Sequence, residues 1–153
     1  MLDIGDTCPH FQTISESGKS LTLGSFSDKK LVLFFYPKDM TPGCTIESCN
    51  FNDKYSEIID LGAEVVGVSK DSQKSHIKFK EKYGFKYDLL VDEDCTICES
   101  FGVLQEKSMF GKKYMGIVRS TFIVNEDGKI IKVWPKVKIN GHVDEVIEFL
   151  KTC

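Results

Sequence analysis

The sequence lacks long apolar runs and any strong excess of one charge. No stretch approaches the roughly 18 apolar residues that a membrane-spanning helix needs, and the chain does not open with a basic segment followed by an apolar core. The net charge is −3, with 28% charged residues. We therefore expect an intracellular, cytoplasmic protein with neither nucleic acid nor a membrane as a partner.

The chain is long enough for one domain and no more. Its 153 residues are 41% hydrophobic, and a domain of this length buries about two thirds of the surface of the unfolded chain. No repeat, low-complexity tract or interdomain linker interrupts it. We expect a single domain over residues 1–153.

Arginine is almost absent. Of the 20 basic residues, 19 are lysine and only Arg119 is arginine. Because the chain otherwise uses lysine for surface charge, its single arginine indicates a position that needs the planar, always-charged guanidinium. Arg119 precedes the strand-like segment 120–124, so its stem can be buried. This residue is a candidate for the functional site.

Six cysteines stand out in a chain with an ample core. In a small secreted protein they would suggest a disulfide scaffold, but we expect no signal peptide here. Catalytic, redox or metal-binding roles are favoured instead. The six residues are Cys8, Cys44, Cys49, Cys95, Cys98 and Cys153.

Hydrophobic periodicity predicts strands that alternate with helices in the first two thirds of the chain. Segments 11–14 and 21–23 predict an N-terminal β-hairpin. Further strands are expected at 31–36, 64–69 and 88–91, with helices from residue 45 to about 59, at 72–83 and at 94–101.

The last third of the chain predicts a second hairpin and a final helix. Strands 120–124 and 129–133 flank Asn-Glu-Asp-Gly, and a helix follows at about 143–150. The lysine-rich segment 105–114 shows no clear period; it could be a surface loop near the active site, but we expect a surface loop that is simply a solvated connection. Together the elements predict an α/β, thioredoxin-like fold with a mixed central sheet flanked by helices.

Cys44 is placed where a helix should begin. The buried strand 31–36 precedes it, Pro42-Gly43 forms a turn, and helical periodicity starts just after it. Unpaired amides and the positive end of the helix dipole meet at such a position, and both stabilise a thiolate over a thiol. The sequence therefore predicts a reactive cysteine.

The neighbours of Cys44 suit the reduction of a peroxide. A thiolate that attacks a peroxide displaces hydroxide or alkoxide, so the site needs donors for both the sulfur and the departing oxygen. We expect the Thr41 hydroxyl and the amides of Gly43 and Cys44 to supply them. Pro37 stiffens the pocket, and Arg119 adds charge and further donors.

The pattern Pro37-x-x-x-Thr41-x-x-Cys44 resembles the active-site motif of the peroxiredoxins. The run Thr-Pro-Gly-Cys-Thr, with Cys49 five residues after Cys44, resembles their bacterioferritin-comigratory, or peroxiredoxin Q, branch. Similar segments extend over nearly the whole chain; they are 34–37, 67–69, 90–92, 101–103, 111–119 and 122–128.

This resemblance implies a thiol peroxidase that acts on hydrogen peroxide and alkyl hydroperoxides without a cofactor. Cys44 would be the peroxidatic cysteine and Cys49 the resolving cysteine, with Pro37, Thr41 and Arg119 in support. Thioredoxin, or a glutaredoxin-like protein, would be the electron donor. The branch also implies a monomer and a role in antioxidant defence.

The spacing of the two implied partners has a physical consequence. Positions five apart in an intact helix have Cα atoms about 8–9 Å apart, whereas a disulfide needs roughly 4.4–6.8 Å. If Cys49 lies in the helix of Cys44, a bond between them requires at least the first turn to unwind.

Other readings of the cysteines stay open. A disulfide reductase could use Cys44 with Cys49, or Cys95 with Cys98, and a non-enzymatic redox sensor or holdase-like protein is a third possibility. A zinc site at Cys95 and Cys98 lacks a second cysteine pair and suitably spaced histidines. We expect Cys98 in the core, Cys95 partly exposed, and no role for Cys8 or Cys153.

Two further expectations concern charged and polar side chains. Glu47 is expected to be an exposed acid in the first turn of the helix, without a catalytic role. The three histidines are expected at the surface or in hydrogen bonds rather than as ligands or bases; they are His10, His76 and His142.

Overall fold

The computed structural model describes residues 1–153 and has a five-stranded central sheet. Its strands are β3 (Lys30–Phe35), β4 (Ala63–Ser69), β5 (Asp88–Val91), β8 (Ser120–Val124) and β9 (Ile130–Trp134). Their order in the sheet is β5-β4-β3-β8-β9, in which β3 pairs in parallel with β4, and β4 with β5, while β8 and β9 are antiparallel. The predicted mixed sheet is confirmed.

Five helices and two small hairpins complete the fold. The helices are α1 (Pro42–Asp53), α2 (Tyr55–Asp60), α3 (Gln73–Tyr83), α4 (Thr96–Phe101) and α5 (His142–Lys151), with a short 3-10 helix at Leu23–Phe26. The predicted N-terminal hairpin is present as β1 (Gln12–Ile14) and β2 (Ser20–Thr22). None of the helices is long and apolar enough to span a bilayer.

Strand β3 forms the centre of the core because its side chains are buried on both faces of the sheet. Leu31, Leu33 and Phe35 pack on one side with α4 and the N-terminal hairpin. Val32 and Phe34 pack on the other side with residues of α1, α2, α3 and α5. This two-sided burial is why the segment reads as a continuous apolar run rather than an alternating one.

The prediction of a surface loop over 105–114 was wrong. The segment lies in an antiparallel hairpin of β6 (Leu104–Met109) and β7 (Lys112–Ile117), which turns at Phe110-Gly111 with φ of 52° and 76°. Positive φ at both central residues is the geometry of a tight hairpin turn. Most side chains of this ribbon are exposed, so it has none of the alternation that marks a half-buried strand.

A smaller difference concerns the helix expected to run on to about residue 59. The structure ends α1 at Asp53 and starts α2 at Tyr55, with Lys54 between them at φ −103° and ψ 8°. The apolar positions Phe51 and Ile58 still enter the same cluster. Periodicity alone therefore did not reveal the break.

The edge of the sheet at the carboxyl ends of β3, β4 and β5 gathers the segments that carry the chemistry. The loop to α1 follows β3, the segment from Lys70 to Ser72 follows β4, and residues 92–95 follow β5. Arg119 reaches the same edge because β8 begins there, antiparallel to β3. Residues far apart in sequence thus meet at one end of the fold.

Candidate active site

Cys44 lies at the third residue of α1 and is 1% exposed. The first hydrogen bond of the helix runs from the Thr45 amide to the Thr41 carbonyl, at 2.9 Å. The amides of Gly43 and Cys44 make no backbone hydrogen bond, as expected in the first turn of a helix. Two N–H donors at the start of the helix are therefore free of backbone partners.

Arg119 makes direct contact with this sulfur. Its Nη2 donates to Cys44 Sγ at 3.3 Å, and its Nη1 donates to Glu47 Oε1 at 2.7 Å. Burial would lower the pKa of Arg119, but the neighbouring Glu47 and Cys44 groups together raise it. The guanidinium thus stays charged while it bridges a carboxylate and the candidate nucleophile.

Gly43 allows Arg119 to approach this closely. A Cβ at position 43 would lie 3.3 Å from Arg119 Nη2 and 3.1 Å from Ile139 Cδ1. Ile139 belongs to the segment that follows β9, and the nearby Val137 amide donates to the Arg119 carbonyl at 2.9 Å. The arginine is therefore held at both its backbone and its side chain.

Thr41 occupies the N-cap position of α1, but its side chain makes no hydrogen bond to the helix amides. Its hydroxyl donates to the Lys38 carbonyl at 2.8 Å instead. The single hydroxyl hydrogen is thus directed away from the sulfur, contrary to our expectation. The arrangement leaves the Thr41 oxygen as an acceptor and the helix amides free.

Two prolines frame the loop. Pro37 lies two residues after the end of β3 and is half-buried, while Pro42 is the first residue of α1, where the missing amide hydrogen costs nothing. Of the sequence-predicted site residues, the structure thus brings Cys44, Arg119 and Thr41 together around one loop, with Pro37 at its start.

Cys49 lies in the same helix as Cys44, which settles the condition left open by the sequence. The helix runs unbroken from Pro42 to Asp53. Cys49 is half-buried, and burial together with the Asp53 carboxylate raises the pKa of its thiol. In this conformation the two sulfurs belong to an intact helix and the second thiol is held in its protonated form.

The Cys95 and Cys98 pair has an environment that opposes thiolate formation. Cys98 is fully buried and Cys95 half-buried, as expected. The Asp92 carboxylate accepts the amides of Ile97 and Cys98 at 2.9 Å each. Burial, followed by this carboxylate, raises the pKa of both thiols. The two thiols are therefore poor nucleophiles.

Glu47 is the site residue whose placement the sequence interpretation got wrong. It is not exposed but 1% accessible, and its Oε2 has no hydrogen-bond partner. Burial raises the pKa of Glu47 to about 7, although Arg119 acts in the opposite direction. A usable signal existed, because Glu47 lies three residues after Cys44 and four before Phe51, on the helix face that is buried.

Two of the three histidines are buried in hydrogen bonds. His142 is paired with Thr121 Oγ1 at 2.8 Å, and burial lowers its pKa to about 4. His76 pairs with Asp39 at 2.7 Å. His10 is exposed. Their sequence spacing did not reveal these partners, which come from other elements of the fold.

A model of the AhpC/TSA family matches residues 4–133 of the chain. A putative peroxiredoxin Bcp of Coxiella burnetii is 49% identical over 146 residues, which cover 95% of this chain and 97% of that protein. The peroxiredoxin Bcp of Bacillus subtilis is 45% identical over 150 residues, covering 98% and 96%.

Solved structures agree in fold over the same extent. The peroxiredoxin Q of Xanthomonas campestris superposes with a TM-score of 0.89 at 43% identity, covering 93% of this chain and 90% of that one. The peroxiredoxin Q of Xylella fastidiosa gives 0.94 at 38% identity, covering 99% and 97%. Another structure of the Xanthomonas protein, with a TM-score of 0.89, concerns its alkyl peroxide reduction activity.

The buried Glu47 carboxyl should make stability depend on pH. Its pKa is raised from 4.5 to about 7 by folding, so the folded chain binds the proton more tightly. This proton binding contributes on the order of 1–3 kcal/mol to the free energy of unfolding. The contribution is complete below about pH 4.5 and is lost as the pH rises through 7. Glu47→Gln keeps an acceptor for Arg119 but does not titrate.

We expect the free energy of unfolding of Glu47→Gln, measured by urea denaturation, to fall less between about pH 5 and about pH 8 than that of the parent chain. The matched control is Glu148→Gln, whose side chain is 73% exposed and should leave the slope unchanged. Equal slopes for Glu47→Gln and the parent would contradict the burial argument.

Proposed function

Because the chain belongs to the AhpC/TSA family, as a peroxiredoxin of the bacterioferritin-comigratory, or Q, branch, it is a thiol peroxidase, and we propose that Cys44 is its peroxidatic cysteine. The observation that carries the proposal is the contact of 3.3 Å between Arg119 Nη2 and Cys44 Sγ at a helix N-terminus. Charge-assisted hydrogen bonding favours a thiolate at this sulfur.

The first step transfers one oxygen from the hydroperoxide to sulfur. The Cys44 thiolate attacks the nearer peroxide oxygen, the O–O bond breaks, and the leaving alkoxide or hydroxide takes up a proton to give alcohol or water. Cys44 becomes sulfenic acid. Hydrogen peroxide and alkyl hydroperoxides differ only in the group on the departing oxygen.

The surrounding donors and acceptors suit this displacement. The free amides of Gly43 and Cys44 and the Arg119 guanidinium stabilise negative charge as it moves from sulfur to oxygen. The Thr41 hydroxyl, whose hydrogen is directed to Lys38, accepts the hydrogen of the peroxide's O–H. Glu47 acts through Arg119, whose guanidinium it holds by the 2.7 Å ion pair.

The second step is resolution by Cys49. The Cys49 thiol attacks the Cys44 sulfenic acid, and water leaves as the disulfide forms. The first turns of α1 must unwind for this, because an intact helix holds the two Cα atoms about 8–9 Å apart. Unwinding also removes the burial that raises the pKa of Cys49.

The third step returns two electrons from a protein dithiol. The unwound segment exposes the Cys44–Cys49 disulfide, which thioredoxin or a glutaredoxin-like protein reduces by thiol–disulfide exchange. We place this cycle in the cytoplasm, where thiols are kept reduced. We also propose a monomer, because a bond between two cysteines of one helix needs no second copy of the chain. The cycle needs no bound cofactor, and its role would be antioxidant defence.

Arg119→Lys should keep the charge but lose the fork that contacts both Glu47 and Cys44. We expect the second-order rate of the reduced protein with hydrogen peroxide, measured by stopped flow, to fall at least about tenfold, equivalent to about 1.4 kcal/mol of barrier. Lys19→Arg, at an exposed position of the N-terminal hairpin, should react normally. A near-normal rate for Arg119→Lys would remove Arg119 from the mechanism.

One equivalent of peroxide should convert the reduced chain to a Cys44–Cys49 disulfide with loss of helix. Mass spectrometry of peptides identifies the bond, and amide exchange should show new exposure over 42–49. Cys49→Ser should retain the helix after the same treatment, since no bond can form. A Cys44–Cys49 bond with unchanged exchange would sink the unwinding step, and a Cys95–Cys98 bond would redirect attention to α4.

A further inference from the structure

We propose that a buried, hydrogen-bonded pair of Asp39 and His76 clamps the start of the active-site loop, so that unwinding begins beyond it and the clamp decides how long oxidised Cys44 stays in the folded site. Asp39 lies in the loop between β3 and α1, and His76 in α3. The inference rests on the proposed function, because it concerns the unwinding that a Cys44–Cys49 bond requires.

The Asp39 carboxylate is enclosed by donors. Tyr36 Oη donates to its Oδ1 at 2.6 Å, while Ser75 Oγ, at 2.8 Å, and His76 Nδ1, at 2.7 Å, reach its Oδ2. Asp39 is 4% exposed and His76 is 0% exposed. The backbone of Asp39 is held as well, since its amide donates to Asp71 Oδ2 at 2.9 Å.

The hydrogen bonds fix the orientation of the His76 ring. Its Nε2 lies 2.9 Å from the Leu90 carbonyl, which can only accept, so Nε2 carries a hydrogen. Its Nδ1 is hydrogen-bonded to Asp39 Oδ2 at 2.7 Å. Both ring nitrogens are thus held, one by β5 and the other by the active-site loop.

The same atoms could be read as a metal site, because Asp39, Asp71 and His76 bring ligand atoms within 4.8 Å of one another. The facing atoms are already satisfied, however. Asp71 Oδ2 accepts from both the Asp39 amide and Ser69 Oγ, and both His76 nitrogens are in hydrogen bonds. The group is a closed polar network that ties the loop to α3 and β5.

The clamp lies at the right place to limit the unwinding. Met40, the next residue, has a φ of 67°, a conformation that side chains rarely adopt, and it is exposed. Residues 40–43 separate the clamp from Cys44 and could span roughly 13–14 Å if extended. Cys44 can therefore move to Cys49 while Asp39 stays fixed, and Met40 is the first residue free to change.

The clamp should influence two competing fates of the Cys44 sulfenic acid. In the folded site a second hydroperoxide can transfer another oxygen to it, which gives sulfinic acid and one more molecule of alcohol or water. In the unwound segment the sulfenic acid instead condenses with Cys49. A clamp that favours the folded site speeds the first oxidation and also raises the fraction lost to the second.

The test compares the parent with His76→Leu, which removes the clamp, and Asp39→Asn, whose carboxamide can bond a neutral His76 without charge. Leu150→Ala, a truncation in the core of α5, controls for loss of global stability. Two readouts are needed: amide exchange of the reduced proteins over 40–46, and the sulfinic fraction at Cys44 after graded hydrogen peroxide.

We expect His76→Leu to exchange at least about tenfold faster over 40–46, with α5 unchanged, and to give a sulfinic fraction at least about threefold lower. Asp39→Asn should fall between it and the parent, and provides the comparison if His76→Leu does not fold. Exchange that is unchanged, or raised throughout the chain as in Leu150→Ala, would overturn the clamp, as would an unchanged sulfinic fraction.

The exchange measurement separates this inference from the proposed function. It uses reduced protein and involves no peroxide, so it reports on the clamp even if another thiol resolves Cys44. If the parent forms no Cys44–Cys49 bond, the proposed cycle fails whatever the exchange data show.

Discussion

The site depends on one half-buried guanidinium that must satisfy two partners at once. Arg119 enters from the strand edge at β8, where the Val137 amide holds its carbonyl, and it reaches both Glu47 and Cys44 on the first turns of α1. A lysine could contact only one of these partners with comparable geometry. Gly43 is small because the arginine passes beside it. Arg119, which follows β7, thereby links the start of α1 to the segment after β9.

A second constraint is that the reactive state of Cys44 and the disulfide with Cys49 need different conformations of α1. The donors at Cys44 exist only while α1 is intact, because they are the free amides of its first turn and a guanidinium held by Glu47. A bond to Cys49 exists only when that turn is lost. The loop therefore has to be both firmly held and able to open. The closed network around Asp39 and the unusual backbone of Met40 lie side by side where that balance is set.

Much of this was predictable from local pattern. The buried strand β3, the helix start at Cys44 and the singular Arg119 each leave a signal in composition or spacing. Glu47 left only the spacing that puts it on the buried face of α1, and a charged residue there is taken to be solvated until its partner is known. The β6–β7 hairpin left no signal, because an exposed ribbon lacks alternation. The Asp39–His76 pair joins residues 37 positions apart, so no local sequence pattern indicates it.

The proposed cycle requires that Cys44, and no other thiol, is activated toward peroxide. The most direct measurement is to treat the reduced Cys49→Ser chain with one equivalent of hydrogen peroxide in the presence of a sulfenic-acid trap and to locate the adduct by mass spectrometry. Five thiols then compete, three of them with environments that raise their pKa. We expect near-stoichiometric label at Cys44 and essentially none elsewhere. Label at Cys95 or Cys153 in comparable amount would contradict it.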